Sequence, residues 1–236
     1  MILVPETHTA SVIRLDAVDS TNREALRRIA DGAPHGTVIQ AARQTDGRGR
    51  RGRAWVSPPG NLYMTIIVRP EATARLGQLG FIAALAAGDA LLPHAPVRFK
   101  WPNDLMVDGK KLGGILVEAV NDAAAIGIGI NIISAPEGTE TPATSLPASV
   151  SPDDLGEDIR SRFAHWYERW RTDGFAALRE AWLEHAVGLG EVIRVRLARE
   201  TLDGVFGGLD TEGGLLLDRD DGRRVIAAGD VFLGAA

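Results

Sequence analysis

Apolar and polar positions along this chain follow two periods, and the change of period marks its elements. Ala25, Leu26 and Ile29 recur at helical spacing behind Thr21-Asn22-Arg23-Glu24, which has the form of a capping box, so a helix is predicted from Thr21 to just before Gly32. Residues 37–41 read as a buried strand, and 61–68 as another ended by Pro70. An alanine- and leucine-rich helix from about Ala74 to Leu92 stops at Pro93. Short strands over 97–101, 104–107, 111–120 and 123–132 then follow closely, turning at Asp108-Gly109 and Asn121-Asp122. Such spacing predicts antiparallel pairing with helices on one face, not a regular βαβ alternation.

Residues 134–152, rich in Pro, Ser and Thr, read as a long loop. Beyond it Leu155, Ile159, Phe163, Trp166 and Trp170 repeat at helical spacing and are read as core packing; Phe175, Leu178, Trp182 and Leu183 mark a second helix. From Gly188 the period shortens. Ile193, Val195 and Leu197 alternate with Arg194 and Arg196, and glycine pairs punctuate further short strands up to Val231-Phe232. The pattern predicts a main domain over residues 1–187 and a small SH3-like β-barrel over 188–236.

Composition narrows the function classes. At 236 residues, 45% apolar and 24% charged, the chain is an ordinary globular one. It has no cysteine, which excludes disulfides, thiolate catalysis and thiolate metal sites. Its start lacks a basic region and a signal-length apolar run, and the apolar stretch 81–92 is broken by Asp89 and too short for a membrane span, so a cytoplasmic location is expected. A net charge of -5 argues against a broad nucleic-acid face. The histidines are scattered, and no His/Asp/Glu cluster at metal spacing is visible; the metal ligands stay unknown.

One segment departs from this acidic balance. Between Arg43 and Arg53 there are five arginines against one aspartate, interleaved with Gly47, Gly49 and Gly52. Guanidinium forks beside exposed backbone N–H groups suit a phosphate or a carboxylate. A solvated loop or a nonspecific polyanion patch would show the same composition. Other segments single themselves out in order: Ser20-Thr21-Asn22 at a helix start, Gln44 before the arginines, Lys100-Trp101-Pro102-Asn103-Asp104, Lys111-Leu112-Gly113-Gly114-Ile115-Leu116 and Gly127-Ile128-Gly129-Ile130-Asn131.

With these segments in this order, the chain strongly resembles the bacterial biotin protein ligases from about Asp16 onward. The resemblance implies an α+β fold, a mixed, mostly antiparallel sheet of the class II aminoacyl-tRNA synthetase-like kind. It also implies a two-step reaction, in which biotin and ATP, with Mg²⁺, give biotinyl-5'-adenylate and pyrophosphate, and a lysine of the biotin carboxyl carrier protein domain then takes the biotin. It further implies that Arg48 and Arg50 meet the biotin carboxylate and the adenylate phosphate, and that Lys111, not Lys110, follows the anion as its charge redistributes. Ser20, Thr21, Asn22 and Gln44 would hold the uncharged ureido ring, with Gly47 and Gly49 in the same stretch; Gly113 and Gly114 would let the sheet approach the ligand's tail. Arg53, Trp55, Asn103 and Asn131 are placed near the nucleotide, and Asp104 near the incoming carrier lysine. Bland readings stand beside several of these: Thr21 as a helix cap, Trp55 as core, Asn103-Asp104 as turn chemistry, lysines as surface charge. Arg51 is expected to point away into solvent. The signature begins by residue 20, so no DNA-binding repressor domain is expected. A lipoate or octanoyl ligase or transferase of similar architecture is one alternative, and an Arg-Gly-loop RNA- or polyanion-binding module is another. Whether the protein is a monomer or a homodimer stays open.

Overall fold

The computed structural model describes residues 11–70, 76–146 and 149–234. The reading of Met1–Glu6, the first residues of the helix predicted from Ala74 and the outer ends of both predicted domains lie outside the described residues. Two sheets organise the rest. The larger has seven strands: β1 (Val12–Leu15), β2 (Val38–Ala41), β3 (Leu62–Val68), β4 (Arg98–Lys100), β5 (Asp104–Val107), β6 (Lys110–Val120) and β7 (Ala123–Ile130). Their spatial order is β1-β2-β3-β7-β6-β5-β4, with β1 parallel to β2 and every other pair antiparallel. The hairpin turns sit where the sequence places them, with Asp108, Gly109 and Asn121 at positive φ.

Four α-helices serve this sheet: α1 (Thr21–Ala30), α2 (Leu79–Leu91), α3 (Pro152–Asp173) and α4 (Phe175–Glu184). Three of them form one layer. The α2 helix is apolar almost all round, because it lies between the sheet and α3, and its residues join Leu62, Met64, Ile66, Ile126 and Ile128 in the main core. Ser151 caps α3 by accepting from Asp154 N, with Pro152 in the first turn. The stripe Leu155, Ile159, Phe163 and Trp166 is buried as predicted. The Trp166 and Trp170 indoles donate to Asp89 and Gln78, both at 2.8 Å, so these rings pack and find partners within the helix layer.

The α1 helix instead lies across the opposite face. Ala25 and Ile29 pack there on Ile39, Ile67, Ala123 and Ala125, the alternate positions of the same strands. Its start is not a capping box. Ser20 occupies the N-cap without a side-chain bond, and Thr21 is already helical, its N–H taken by Gln44 Oε1 at 2.8 Å. The Glu24 carboxylate pairs with Arg27 and Arg28 and does not reach back.

The second sheet holds β8 (Val192–Arg196), β9 (Thr201–Leu209), β10 (Leu215–Arg219), β11 (Gly222–Ile226) and β12 (Asp230–Leu233), all antiparallel, in the order β11-β10-β9-β8-β12. It curls around Ile193, Val195, Phe206, Leu215 and Leu217 without closing. Its end strands β11 and β12 do not pair, so the barrel expected from sequence is an open sheet. It meets the turn between β4 and β5 through the Trp101 indole, which donates to Gly213 O at 3.0 Å, and the start of α2 through Gln78 Nε2 on Thr211 O at 3.3 Å.

Candidate active site

The α1 face of the large sheet carries a trough made by register. Thr65 of β3, Gly127 of β7 and Leu116 of β6 stand side by side, and in the next row Tyr63, Gly129, Gly114 and Asp104 cross four strands. Glycines in the middle of both rows leave the floor free of side chains. A Cβ at Gly127 would run into Asn22 Oδ1, and one at Gly129 would lie 2.8 Å from the Trp55 indole nitrogen. Walls rise from the start of α1, the 44–57 loop, the 136–143 loop and β12, enclosing a cavity of about 290 Å³. Ser20, Thr21, Asn22, Gln44, Arg48, Gly49, Arg50, Arg53, Trp55, Asn103, Asp104, Lys111, Gly114 and Asn131 all line it.

Two expected residues do not. Gly113 points to the other face, where a Cβ would meet Gly129 O at 2.6 Å and Ile130, because successive strand residues alternate sides. Gly47 sits inside the loop against Trp55 O, Ser57 Oγ and Gln44 Nε2, and allows the loop to close on itself.

One end of the trough is neutral and densely bonded. The Asn22 amide donates to Leu116 O at 3.2 Å and to Glu118 at 2.9 Å, so its Oδ1 accepts the Thr65 hydroxyl at 2.7 Å. Thr65 Oγ1 is then left to accept from Thr21 Oγ1 at 2.9 Å. Yet Gln44 Oε1 also lies 3.1 Å from Thr21 Oγ1, while the Gln44 amide donates to Ser57. Thr21 has one proton for two acceptors. The network therefore holds more lone pairs than hydrogens, and a ligand that brings N–H groups would complete it.

The other end is cationic. Lys111 Nζ lies 2.5 Å from Asp104 Oδ1 and 5.4 Å above the Trp55 ring. Its backbone bonds the loop that crosses beside it after β7 (residues 136–144, the crossing loop) on both sides, to Pro142 O and from Thr144 N. Asn131, 2% exposed, ties the same loop by donating to Thr144 O. Arg50 donates to Asn103 Oδ1 at 3.1 Å and to Gly229 O, and Asn103 is itself anchored on Ile115 O at 2.7 Å. Burial holds the Arg50 guanidinium below its ordinary pKa, with Asp230 opposing that shift. Arg48 is turned to Glu118 at 3.1 Å, away from this cationic end.

Arg51 is exposed, as expected, but it is also ion-paired. The segment Arg50–Gly52 curls into a short 3₁₀ turn with Arg51 at φ 55°, and its guanidinium lands 2.9 Å from Asp230. Arg53 and Arg196 reach the same carboxylate at 2.8 and 3.4 Å, and Arg196 also binds Glu140 of the crossing loop at 2.7 Å. Burial alone would raise the Asp230 carboxyl; the Arg53 hydrogen bond and the charges of Arg53 and Arg51 hold it below the ordinary carboxylate value. Trp55 is half-buried and lines the trough, so it is a wall of the cavity, and its indole N–H, on the floor side, is buried without a partner.

Sequence reasoning missed Thr65, Glu118 and Asp230, and singled out Lys100 with its segment without giving it a role. Thr65 is the one small hydroxyl side chain of the apolar β3, and Glu118 stands at two-residue spacing from Gly114 and Leu116. Both were visible as breaks in an alternation. Asp230 carried no signal.

The sequence matches the Biotin/lipoate A/B protein ligase family over residues 15–132 and the Biotin protein ligase C terminal domain over 188–234. It is 41% identical to a biotin–[acetyl-CoA-carboxylase] ligase of Paracoccus denitrificans, over 93% of this chain and 99% of that protein. It is 34% identical to a bifunctional ligase/repressor of Bacillus subtilis, over 93% of this chain and 73% of that one. In structure it superposes on the biotin protein ligase of Aquifex aeolicus in complex with biotin and ATP, with a TM-score of 0.84 and 29% identity over 97% and 100% of the two chains. Trough, cationic wall and sequence agree: the chain belongs to the biotin/lipoate A/B protein ligase family, among its biotin protein ligases.

Proposed function

We propose that this protein joins biotin to ATP in the trough and passes the biotinyl group to a lysine of a biotin carboxyl carrier domain. The observation that carries this is the order of chemistry along one floor: an acceptor-rich neutral end, bare glycines, then Lys111, Asp104 and Arg50. A ureido ring, which brings two N–H groups and a carbonyl, suits the first. An aliphatic tail suits the glycines. A carboxylate approaching a phosphate needs the third, because two anions must meet.

Lys111 and Arg50 are assigned to that meeting point, with Asn103 orienting Arg50. Arg48 acts nearer the ring through Glu118. Trp55, Arg53 and Asn131 are assigned to the nucleotide side. Asp104 is assigned to the ammonium of the carrier lysine, which could take the place of Lys111 on its carboxylate. Among the described residues no group of three His, Cys, Asp or Glu is placed to hold a metal, and magnesium is proposed to arrive with ATP. Residues 1–187 would form the catalytic domain and 188–236 its C-terminal cover.

Lipoate is a poorer fit, because its dithiolane ring has no N–H to offer the Thr21–Gln44 end. An RNA-binding loop is disfavoured as well, since Arg50, Arg51 and Arg53 turn toward Asp230. No helix among the described residues is long and apolar enough to cross a membrane. The deciding experiment is ATP–pyrophosphate exchange with purified protein and Mg²⁺. Exchange that requires biotin and ignores lipoate supports the proposal, and no exchange with either acid removes it.

A further inference from the structure

Lys100 ends β4 and is 7% exposed, yet it is poorly partnered. Its Nζ lies 3.5 Å from Asp104 Oδ2 and makes one long hydrogen bond, 3.4 Å, to Thr141 Oγ1. Lys111 takes the other oxygen of the same carboxylate at 2.5 Å. Asp104 thus faces two ammonium groups, and the closer one takes most of its charge. Arg50 adds a third buried cation, and the nearest other acid, Asp230, is 4.0 Å from it and shared with Arg51, Arg53 and Arg196. An ammonium withdrawn from water and given so little in return is unfavourable unless an anion arrives. Lys100 lines the cavity, so an anion in the cleft can reach it.

We infer that Lys100 contacts the departing pyrophosphate of ATP during adenylation. The inference rests on the function proposed above. There the biotin carboxylate oxygen forms a bond to the α-phosphorus while the bond from that phosphorus to the oxygen bridging to the β-phosphate breaks. The electron pair leaves on pyrophosphate, and total charge is unchanged. Lys111 and Arg50 meet the reacting carboxylate and α-phosphate, which leaves the negative charge growing on the leaving group to be met. Lys100 takes the other oxygen of Asp104 from Lys111, beside Thr141 of the crossing loop, and shares that carboxylate with a closer ammonium.

The competing role is structural, in which Lys100 only steadies Asp104 for the carrier lysine. The two half-reactions separate these roles. In Lys100→Met, biotin-dependent exchange of labelled pyrophosphate into ATP should fall about 100-fold, a typical loss for one charge-stabilising donor. The KM for pyrophosphate should rise, while transfer from supplied biotinyl-5'-adenylate to the carrier domain stays within about threefold of the parent, since that step has no leaving phosphate. Lys100→Arg should recover much of the exchange. Unchanged exchange in Lys100→Met overturns the inference, as does a loss of transfer that matches the loss of exchange. If Lys100→Met does not melt cooperatively, Lys100→Arg decides: an altered KM for pyrophosphate with an unaltered KM for biotin supports it, and two unaltered values overturn it. An absence of exchange in the parent protein would instead remove the proposed function.

Discussion

At the scale of single residues, the trough depends on where charge is placed and where side chains are missing. Lys111→Ala should abolish adenylate formation, while Lys110→Ala, at an exposed position one residue earlier, should be nearly silent; exchange assays on both variants check this, and equal activity would refute the assignment. Gly127→Ala should raise the KM for biotin by roughly 100-fold, because the added methyl meets an Asn22 amide pinned by bonds to Leu116, Glu118 and Thr65. Titrating biotin against the folded variant measures it, and an unchanged KM would show that Asn22 yields. Most of these residues were legible because they cluster in short, unusual stretches. Asp230 was not, since 177 residues separate it from Arg53 and nothing local distinguishes it from other acidic residues in the same region. The pairing of Arg51 was hidden too: an extended segment would carry it away from β12, and a single left-handed residue brings its exposed guanidinium to Asp230.

At the scale of elements, α1 is held at its start by charge as well as by packing. Asp19 receives Ser20 N–H at 2.8 Å and both terminal nitrogens of Arg27 at 2.7 and 3.1 Å. The Arg27 hydrogen bonds lower its carboxyl from the usual 3.8 to about 2, against a smaller opposing effect of burial. A carboxyl depressed in the folded state stabilises it fully above the unfolded value, and that contribution is lost as pH falls from about 4 toward 2. Asp19→Asn should therefore flatten the pH dependence of thermal unfolding in this window and alter it little at neutral pH. A parallel pair of melting curves across the acid range would contradict this. Strand and helix positions followed from periodicity to within a few residues. The face chosen by α1 did not, because a helix stripe says that a surface is buried and not which side of a sheet receives it. Alternation likewise announced a run of short strands after Gly188 without revealing that β11 and β12 stay apart.

At the scale of the whole molecule, the second sheet is fastened over the first by one charged knot and a few neutral contacts. Asp230→Ala leaves Arg51, Arg53 and Arg196 facing one another without their shared acid. Amide hydrogen exchange in residues 48–53 should rise about tenfold, the loop being where local opening costs least. The melting temperature should fall by only a few degrees, because Trp101 on Gly213 and Gln78 on Thr211 remain. Unchanged exchange in the loop would show that the knot is ornamental. The reach of β12 into the cleft also bears on how the molecule comes into being. Asp230, Val231 and Phe232 line the cavity from the final strand of the second sheet. A nascent chain on the ribosome acquires its glycine floor and arginine loop long before that strand emerges. Until then Arg51 and Arg53 lack the carboxylate they share, so this wall of the cleft is complete only once translation has passed residue 232.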